Sequence, residues 1–298
     1  MKEFPSCFGE NGVQIADTSP SATTRAAQNA STCVYRCKLR GRFCFITVSW
    51  TKNLMGQVLS VGIDDQGKQC LCKIDIKPWL FSKRKGSKVL EVGSSKVEIF
   101  WDLSSAKFGY GPEPLEGFYL ALVLNQETVL LLGDLKKEAY RKIESDGGDA
   151  VLIAKREHIF GKKFFGAKAR FCDKGQVHDV GIECDTIGFS DPCLVIRIDR
   201  KIVMQVKRLK WKFRGNHTIL VDGFPVQVLW DVHNWLFGNA MSNAVFMFQT
   251  CVSGEKMWWP DQSDSDPPAL TRACSQQFRD SQMQGLGFSL ILYAWKTE

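Results

Sequence analysis

The chain has 298 residues, of which 44% are hydrophobic and 24% are charged. This composition excludes a chain that is disordered throughout, because it supplies enough apolar side chains for a full core. The formal net charge of +7 favours acidic partners. The longest apolar stretches fall far short of the roughly 20 residues that cross a bilayer, so no transmembrane helix is expected.

Residues 1–30 are predicted to form a mobile leader, because they are rich in Ser, Thr, Ala, Asn and Gly and show no apolar period. The first 17 residues carry three acids and lack the apolar run of a secretory signal. We therefore expect a cytoplasmic or nuclear protein. In such a compartment the eleven cysteines are expected to be reduced thiols.

Short runs of strand-forming residues, separated by turn residues, recur along the chain. Strands are predicted at 43–50, 57–63, 69–76, 97–103, 118–124 and 129–132, and then at 194–198, 202–209, 226–232, 244–252 and 288–295. Residues 135–145 consist of strong helix formers and end before a Gly pair, which predicts a short connecting helix. The predicted fold is all-β and antiparallel, with two repeated sandwich-like or half-barrel units packed together.

Two pairs of segments repeat without gaps. Residues 56–64 match 175–183 at six of nine positions, and residues 89–109 align with 218–238, including a Trp-Asp pair in each. The offset between the copies rises from 119 to 129 residues, which requires a ten-residue insertion in the second copy. We interpret the chain as a duplication: 31–148 is the first β repeat with a C-terminal helix, and 149–298 is the second with a C-terminal strand.

Basic residues cluster at matching places in both copies. Segment 207–214, KRLKWKFR, alternates basic and apolar side chains, which predicts a strand with a basic face and an apolar face formed by Leu209, Trp211 and Phe213. The alternative is a solvated edge strand whose charges prevent edge-to-edge pairing. The candidate anion-binding residues are Lys83, Arg84, Lys85, Lys207, Arg208, Lys210, Lys212 and Arg214. Their partner could be a phospholipid headgroup, RNA or an acidic protein.

The repeated Trp-Asp pairs, at 101–102 and 230–231, suggest two hypotheses. Two carboxylates meeting across a pseudo-two-fold axis could act as acid and base. The favoured alternative is structural: a buried Trp, followed by an Asp that accepts backbone N–H bonds in the next turn. Catalytic residues are therefore not assigned.

Metal binding is not predicted either, and neither is a cofactor. Cys33 and Cys37, like Cys70 and Cys72, have even spacing without the two intervening residues of a zinc knuckle, and the four histidines are scattered. Structural thiols are the favoured interpretation of these cysteines.

Trp258 and Trp259 precede a turn-rich stretch at 260–268, which is predicted to be a loop. In a strand the two rings would point to opposite faces, and one could be exposed at an interface or a carbohydrate-stacking site. The alternative places one ring in the core and the other under the loop.

Long strings of the chain resemble a land-plant family catalogued as domain of unknown function 868. They are FPSCFGENGVQIAD, CVYRCKLRGRFCFITVSWTKNLMGQVLSVGID, KIDIKPWLFSKRKGSK, VEIFWDLSSAKFG and GPEPLEGFYLALVLNQETVLLLGDL, and the resemblance extends from Phe4 to about Trp295. It implies a plant source and an intracellular protein, and it carries no catalytic residues with it.

The sequence favours a non-catalytic intracellular binding or adaptor protein that engages an anionic partner through its basic clusters. The alternative is a small-molecule or lipid carrier, or an enzyme, with a pocket inside or between the β units. The sequence is compatible with one fused body formed by the two repeats and with two separate domains.

Overall fold

The computed structural model describes residues 29–39, 42–53, 56–65, 70–76, 84–92, 95–109, 111–143, 148, 150–172, 175–185, 191–238, 242–250 and 287–297. These residues form nineteen strands and two short helices, which confirms the all-β class. The predicted leader up to residue 28, the pair at 258–259 and the loop at 260–268 lie outside the described residues. Residues 29 and 30, predicted as the end of the leader, belong instead to the first strand.

A strand is present at each of the eleven predicted places, but the one predicted at 202–209 ends at residue 206. The strands in chain order are β1 (Asn29–Leu39), β2 (Arg42–Asn53), β3 (Gly56–Asp65), β4 (Cys70–Ile76), β5 (Lys85–Val92), β6 (Ser95–Asp102), β7 (Lys107–Phe108), β8 (Pro114–Glu116), β9 (Tyr119–Leu124), β10 (Glu127–Gly133), β11 (Val151–Gly161), β12 (Phe164–Ala169), β13 (His178–Asp185), β14 (Cys193–Ile198), β15 (Lys201–Val206), β16 (Arg214–Val221), β17 (Phe224–Asp231), β18 (Asn243–Thr250) and β19 (Ser289–Lys296). The helices are α1 (Lys136–Tyr140) and α2 (His233–Phe237).

The strands form one large sheet, two small sheets and a two-stranded ribbon. The large sheet has nine strands in the order β16-β17-β18-β19-β11-β1-β2-β3-β4. The first small sheet has the order β10-β9-β6-β5, the second has the order β12-β13-β14-β15, and β7 pairs with β8. Neighbouring strands are antiparallel except β11 and β19, which are parallel. The large sheet thus joins strands from both halves of the chain.

Both small sheets lie on the same face of the large sheet. Directly paired residues share a face, and across the large sheet Val48 pairs with Cys33, Cys33 with Lys155, and Lys155 with Leu290. Val48 belongs to the core under the first small sheet, whereas Leu290 belongs to the core under the second. Two β-sandwiches therefore stand side by side on one continuous sheet.

The first sandwich encloses side chains from β1–β4 and from β6, β9 and β10, with Ile46, Leu59 and Leu122 fully buried. Every residue of β9 is buried, because α1 covers the outer face of this small sheet with Ala139. This explains why β9 has a continuous apolar sequence instead of alternation.

The second sandwich is filled by large side chains, including Phe246 and Phe248 of β18 and Leu194 of β14. Trp235 of α2 enters this core, where its indole N–H donates to the Ala294 carbonyl at 3.0 Å. The opposite face of the large sheet carries a separate buried cluster.

Two local expectations need correction. The helix predicted at 135–145 is confined to Lys136–Tyr140, and no side chain caps its first turn. The helix α2 was not predicted, because its five residues follow a strand directly and are too few to show a helical period.

Candidate functional site

The repeated Trp residues each cover a glycine in a β-hairpin. Gly86 pairs with Trp101 in the β5–β6 hairpin, and Gly215 pairs with Trp230 in the β16–β17 hairpin. A Cβ atom at Gly86 would lie 2.9 Å from Cζ2 of Trp101, and one at Gly215 would lie closer still to Trp230. Each indole ring therefore requires a glycine opposite it.

The repeated Asp residues hold the turns that follow these hairpin strands. Oδ1 of Asp102 accepts the backbone N–H of Ser104 at 3.0 Å. Oδ1 of Asp231 accepts the backbone N–H of His233, also at 3.0 Å. The structural interpretation of the Trp-Asp pairs is confirmed.

Each of these carboxylates also binds a cation at the start of the facing strand. Lys85 Nζ lies 2.6 Å from Asp102, and Arg214 Nε donates to Asp231 at 2.9 Å. Burial opposes ionisation of Asp102, but its bonds to Lys85 and to the next turn hold its pKa below the usual value. Lys85 and Arg214, two of the predicted anion-binding residues, are thus engaged within the chain.

Residues 207–213 do not form the predicted strand. They form a turn between β15 and β16, in which Arg208 has a positive φ of 55°. The backbone N–H groups of Trp211 and Lys212 both donate to the Arg208 carbonyl, at 2.9 and 3.1 Å. These local bonds close a helical turn, so the alternation of basic and apolar residues does not place them on two faces of a strand.

The three apolar side chains of this loop separate instead of sharing a face. Leu209 is fully buried, and its N–H donates to the Pro192 carbonyl at 3.1 Å. Phe213 is half-buried, with its ring 5.3 Å from that of His233. Trp211 is 84% exposed. One apolar residue therefore fixes the loop to the core while another extends into solvent.

The loop that carries this exposed indole also carries four cations. Lys207, Arg208, Lys210 and Lys212 are all exposed, and within the part of the chain that the structure describes none of the four forms an ion pair. These four members of the predicted set therefore carry charge that no described carboxylate neutralises.

Two further elements lie at the same end of the second sandwich. The β11–β12 turn adjoins the end of β19, because Gly161 accepts a bond from Thr297 at 2.9 Å. This turn carries exposed Lys162 and Lys163, followed by Phe164, which is 66% exposed. Helix α2, which follows β17, presents Phe237 with 55% exposure. We call the loop 207–213, the turn 162–164 and α2 the basic-aromatic end.

The basic cluster of the first half is different. Lys83 lies outside the described residues, and Arg84 is exposed. β5 lies at the edge of its small sheet next to β4, whereas β16 forms the opposite edge of the large sheet. The structure therefore does not bring the two predicted basic clusters together.

At the opposite end of the second sandwich lies a charged cluster that the sequence analysis missed. His178 is buried, with Nδ1 2.7 Å from Asp199 and Nε2 2.9 Å from Asp222. Since both acceptors are carboxylates, both ring nitrogens donate and the imidazole is protonated. Burial alone would lower the His178 pKa, but the two carboxylates outweigh it and raise the pKa above its usual value.

The match between residues 56–64 and 175–183 contains a sequence signal for this cluster. In the ungapped match His178 falls opposite Leu59, which is fully buried in the first sandwich. A histidine at a position where the other copy has a core leucine indicates a buried titratable group.

A second charged cluster lies on the large sheet, between the strands that the two small sheets cover. Lys155 Nζ lies 2.5 Å from Glu157 and 3.2 Å from Glu113, and the Ser31 hydroxyl donates to Glu113 at 2.6 Å. Cys33 points toward Glu113, and burial raises the pKa of its thiol to about 12. This thiol is therefore protonated and unreactive at neutral pH.

None of the cysteines whose side chains are described forms a disulfide bond: Cys33, Cys37, Cys44, Cys172, Cys184 and Cys193. Nothing is described for the side chains of Cys70 and Cys72. Among the described residues, no group of three or more His, Cys, Asp or Glu side chains is arranged to hold a metal ion.

Comparison with known proteins shows the family of the chain. A family model described as plant protein of unknown function (DUF868) matches residues 26–296. The chain therefore belongs to this family of plant proteins. No curated protein and no solved structure matches it.

Among the residues that the structure describes, neither helix has the length and apolar character needed to cross a membrane.

Proposed function

We propose that this protein is a non-catalytic binding or adaptor protein that engages an anionic partner through the basic-aromatic end. The observation that carries the proposal is the loop 207–213, where four exposed cations have no described carboxylate partner. Clustered uncompensated cations raise the local concentration of anions and accelerate their association.

The loop is also held in one conformation, which supports a role in binding. Leu209 anchors it in the core, and two backbone bonds to the Arg208 carbonyl close its turn. A surface that is already ordered loses less conformational entropy when a partner binds.

The interiors of the sandwiches support a surface site over a pocket. Large side chains such as Phe246, Phe248 and Leu122 are fully buried between the sheets. These side chains occupy the space where a carrier or enzyme with this architecture would place its ligand.

The matching hairpins support a duplication, with 31–148 and 149–298 as the two copies. In both, a cation pairs with the Asp, a glycine lies under the Trp, and the Asp holds the next turn. Among the described residues the second half has β14 and β15 where the first has β4, in agreement with the inferred insertion. An intracellular location is part of this proposal, because disulfide bonds are rare in the cytosol and the described cysteines form none.

Heparin chromatography of the full chain tests the proposed function. The variant Lys207→Ser/Arg208→Asn/Lys210→Ser/Lys212→Ser removes the four cations, with Asn at 208 because it tolerates positive φ. We expect its heparin affinity at low salt to fall roughly tenfold or more.

The matched control removes the same charge elsewhere, through Lys73→Ser/Lys88→Ser/Lys136→Ser/Lys137→Ser at four exposed lysines. Its affinity is expected to stay near that of the wild type. Equal losses in the two variants would mean that net charge alone, and not this end of the molecule, binds anions.

A further inference from the structure

Building on the proposed function, we infer that the anionic partner is a membrane surface. The basic-aromatic end docks on a bilayer that contains anionic phospholipid, with the Trp211 ring among the headgroups.

The environment of Trp211 carries this inference. Its side chain is 84% exposed and lies between Lys210 and Lys212, both exposed. An indole is apolar with one N–H donor, which suits the boundary between headgroups and acyl chains. Lysines beside it keep their ammonium groups at the level of the phosphates while their stems cover apolar surface.

Two more exposed aromatic rings accompany this tryptophan. Phe164 is 66% exposed beside Lys163, and Phe237 is 55% exposed at the end of α2. Three separate elements thus present an aromatic ring at one end of the sandwich, and two of these rings adjoin lysines. Apolar rings combined with cations match the combined apolar and electrostatic attraction of a surface that binds anionic lipid.

The arrangement of the rings favours a bilayer over single-stranded RNA. Nucleic-acid sites of that kind stack successive bases on aromatic rings along a basic groove. Here the three exposed rings belong to separate turns or helix ends, and Phe213 is half-buried against His233.

Vesicle co-sedimentation with the full chain tests the inference, with vesicles of phosphatidylcholine alone or with about a third phosphatidylserine. We expect the chain to bind the mixed vesicles and to bind the neutral ones only weakly. Each cation removed from the loop should lower the affinity for the mixed vesicles about fivefold. Trp211→Ser should weaken vesicle binding at least fivefold, whereas its heparin retention should fall less than that of the variant without the four loop cations. Leu115→Ser is the matched control, since Leu115 is 74% exposed away from this end and is expected to have no effect.

Quenching by brominated lipids gives a direct readout of insertion. The chain has nine tryptophans, so the wild type is compared with Trp211→Phe, which keeps an aromatic ring and removes one fluorophore. We expect lipid quenching in the wild type and its loss in Trp211→Phe.

The outcomes separate this inference from the proposed function. Heparin binding that depends on the loop, without vesicle binding or with vesicle binding that Trp211→Ser leaves intact, would overturn membrane docking and leave the proposed function standing. Binding of single-stranded RNA that requires Trp211, in the absence of vesicle binding, would also overturn it. Loss of the loop dependence in the heparin experiment would overturn both.

Discussion

His178 links the two sheets of the second sandwich through charge. Asp199 lies on the β14–β15 turn of the small sheet, and Asp222 lies on the β16–β17 turn of the large sheet. Both residues have positive φ angles, of 48° and 51°. Because the imidazolium donates to both carboxylates, it holds two left-handed turns of different sheets against each other.

The charge of His178 makes the stability of the protein depend on pH. The folded pKa lies above the ordinary value of 6.5. The stabilisation is therefore complete below about pH 6.5 and is lost as the pH rises through the folded pKa. We expect wild-type stability to fall over this alkaline range, and His178→Gln to remove most of that fall. At pH 6 the variant should be about 2 kcal/mol less stable, because two bonds to charged groups are lost.

Urea unfolding from pH 6 to 9 measures this effect. His217→Gln is the matched control, since His217 is exposed on β16. A pH profile that is the same in the wild type and in His178→Gln would contradict a protonated His178 in the folded state.

At the scale of the element, the β16–β17 hairpin depends on the close approach of Gly215 and Trp230. The indole N–H of Trp230 donates to the Lys212 carbonyl at 3.0 Å, which fixes the ring over the glycine and ties the loop 207–213 to the hairpin. The same ring that fills the core therefore also positions the candidate site.

Gly215→Ala tests this arrangement. The added methyl group would overlap the Trp230 ring, and the strain should lower the free energy of unfolding by about 1–3 kcal/mol. Denaturant unfolding measures the change. Gly166→Ala is the control, because Gly166 is exposed on β12 with only the Val180 carbonyl oxygen, 4.0 Å away, near a Cβ atom. Equal stability of both variants would show that the ring moves without cost.

The loop 207–213 shows why a local pattern misassigned an element. Alternation of basic and apolar residues is typical of a strand, and a strand would have buried Leu209 and Trp211 on one face. The left-handed Arg208 and the bonds to its carbonyl close a turn instead. The turn is also held by the Pro192 carbonyl, which accepts the Leu209 N–H. Because Pro192 lies outside the 207–214 segment, the local pattern does not reveal this bond.

At the scale of the whole molecule, the two sandwiches are joined by the β1–β11 pairing and by the charged cluster over it. Ser31 pairs with Glu157 and Cys33 with Lys155, so this cluster lies between the strands that the two small sheets cover. Glu113, from the segment before β8, reaches it from the first half of the chain. The two halves thus form one body, because they share the large sheet.

Lys155→Met tests the contribution of this junction. The substitution leaves Glu157, whose side chain is only 15% exposed, without its cation. We expect the free energy of unfolding to fall by about 3 kcal/mol at pH 8. Burial already raises the pKa of Glu157, and Lys155 opposes that rise. Without the lysine the folded pKa rises further, so Glu157 binds its proton more readily and the loss should be smaller at pH 5 than at pH 8.

Urea unfolding at the two pH values measures this prediction, with Lys168→Met as the control. Lys168 forms an exposed pair with Asp179, and its removal should cost less than about 1 kcal/mol. A loss in Lys155→Met that is the same at both pH values would contradict an uncompensated carboxylate as its cause.

Local sequence patterns are sufficient to predict the all-β class, the position of most strands and the repeated Trp-Asp pairs. Alternation, turn residues and self-similarity are local signals, and strand formation follows them wherever one face of a strand is buried. The Asp that holds the next turn was predictable for the same reason, because Asp102 and Ser104 are two residues apart.

The tertiary structure is needed to see which cations lie outside an ion pair and how the halves join. Lys85 and Arg214 are paired because their strands face Asp102 and Asp231, whereas the four cations of the loop 207–213 form no ion pair with a described carboxylate. The parallel pairing of β11 with β19 joins residues more than 130 positions apart. Local sequence patterns do not specify such contacts, because pairing between distant strands depends on the packing of both cores at once. The net charge of +7 follows from the composition. The exposure of the loop cations beside aromatic rings does not.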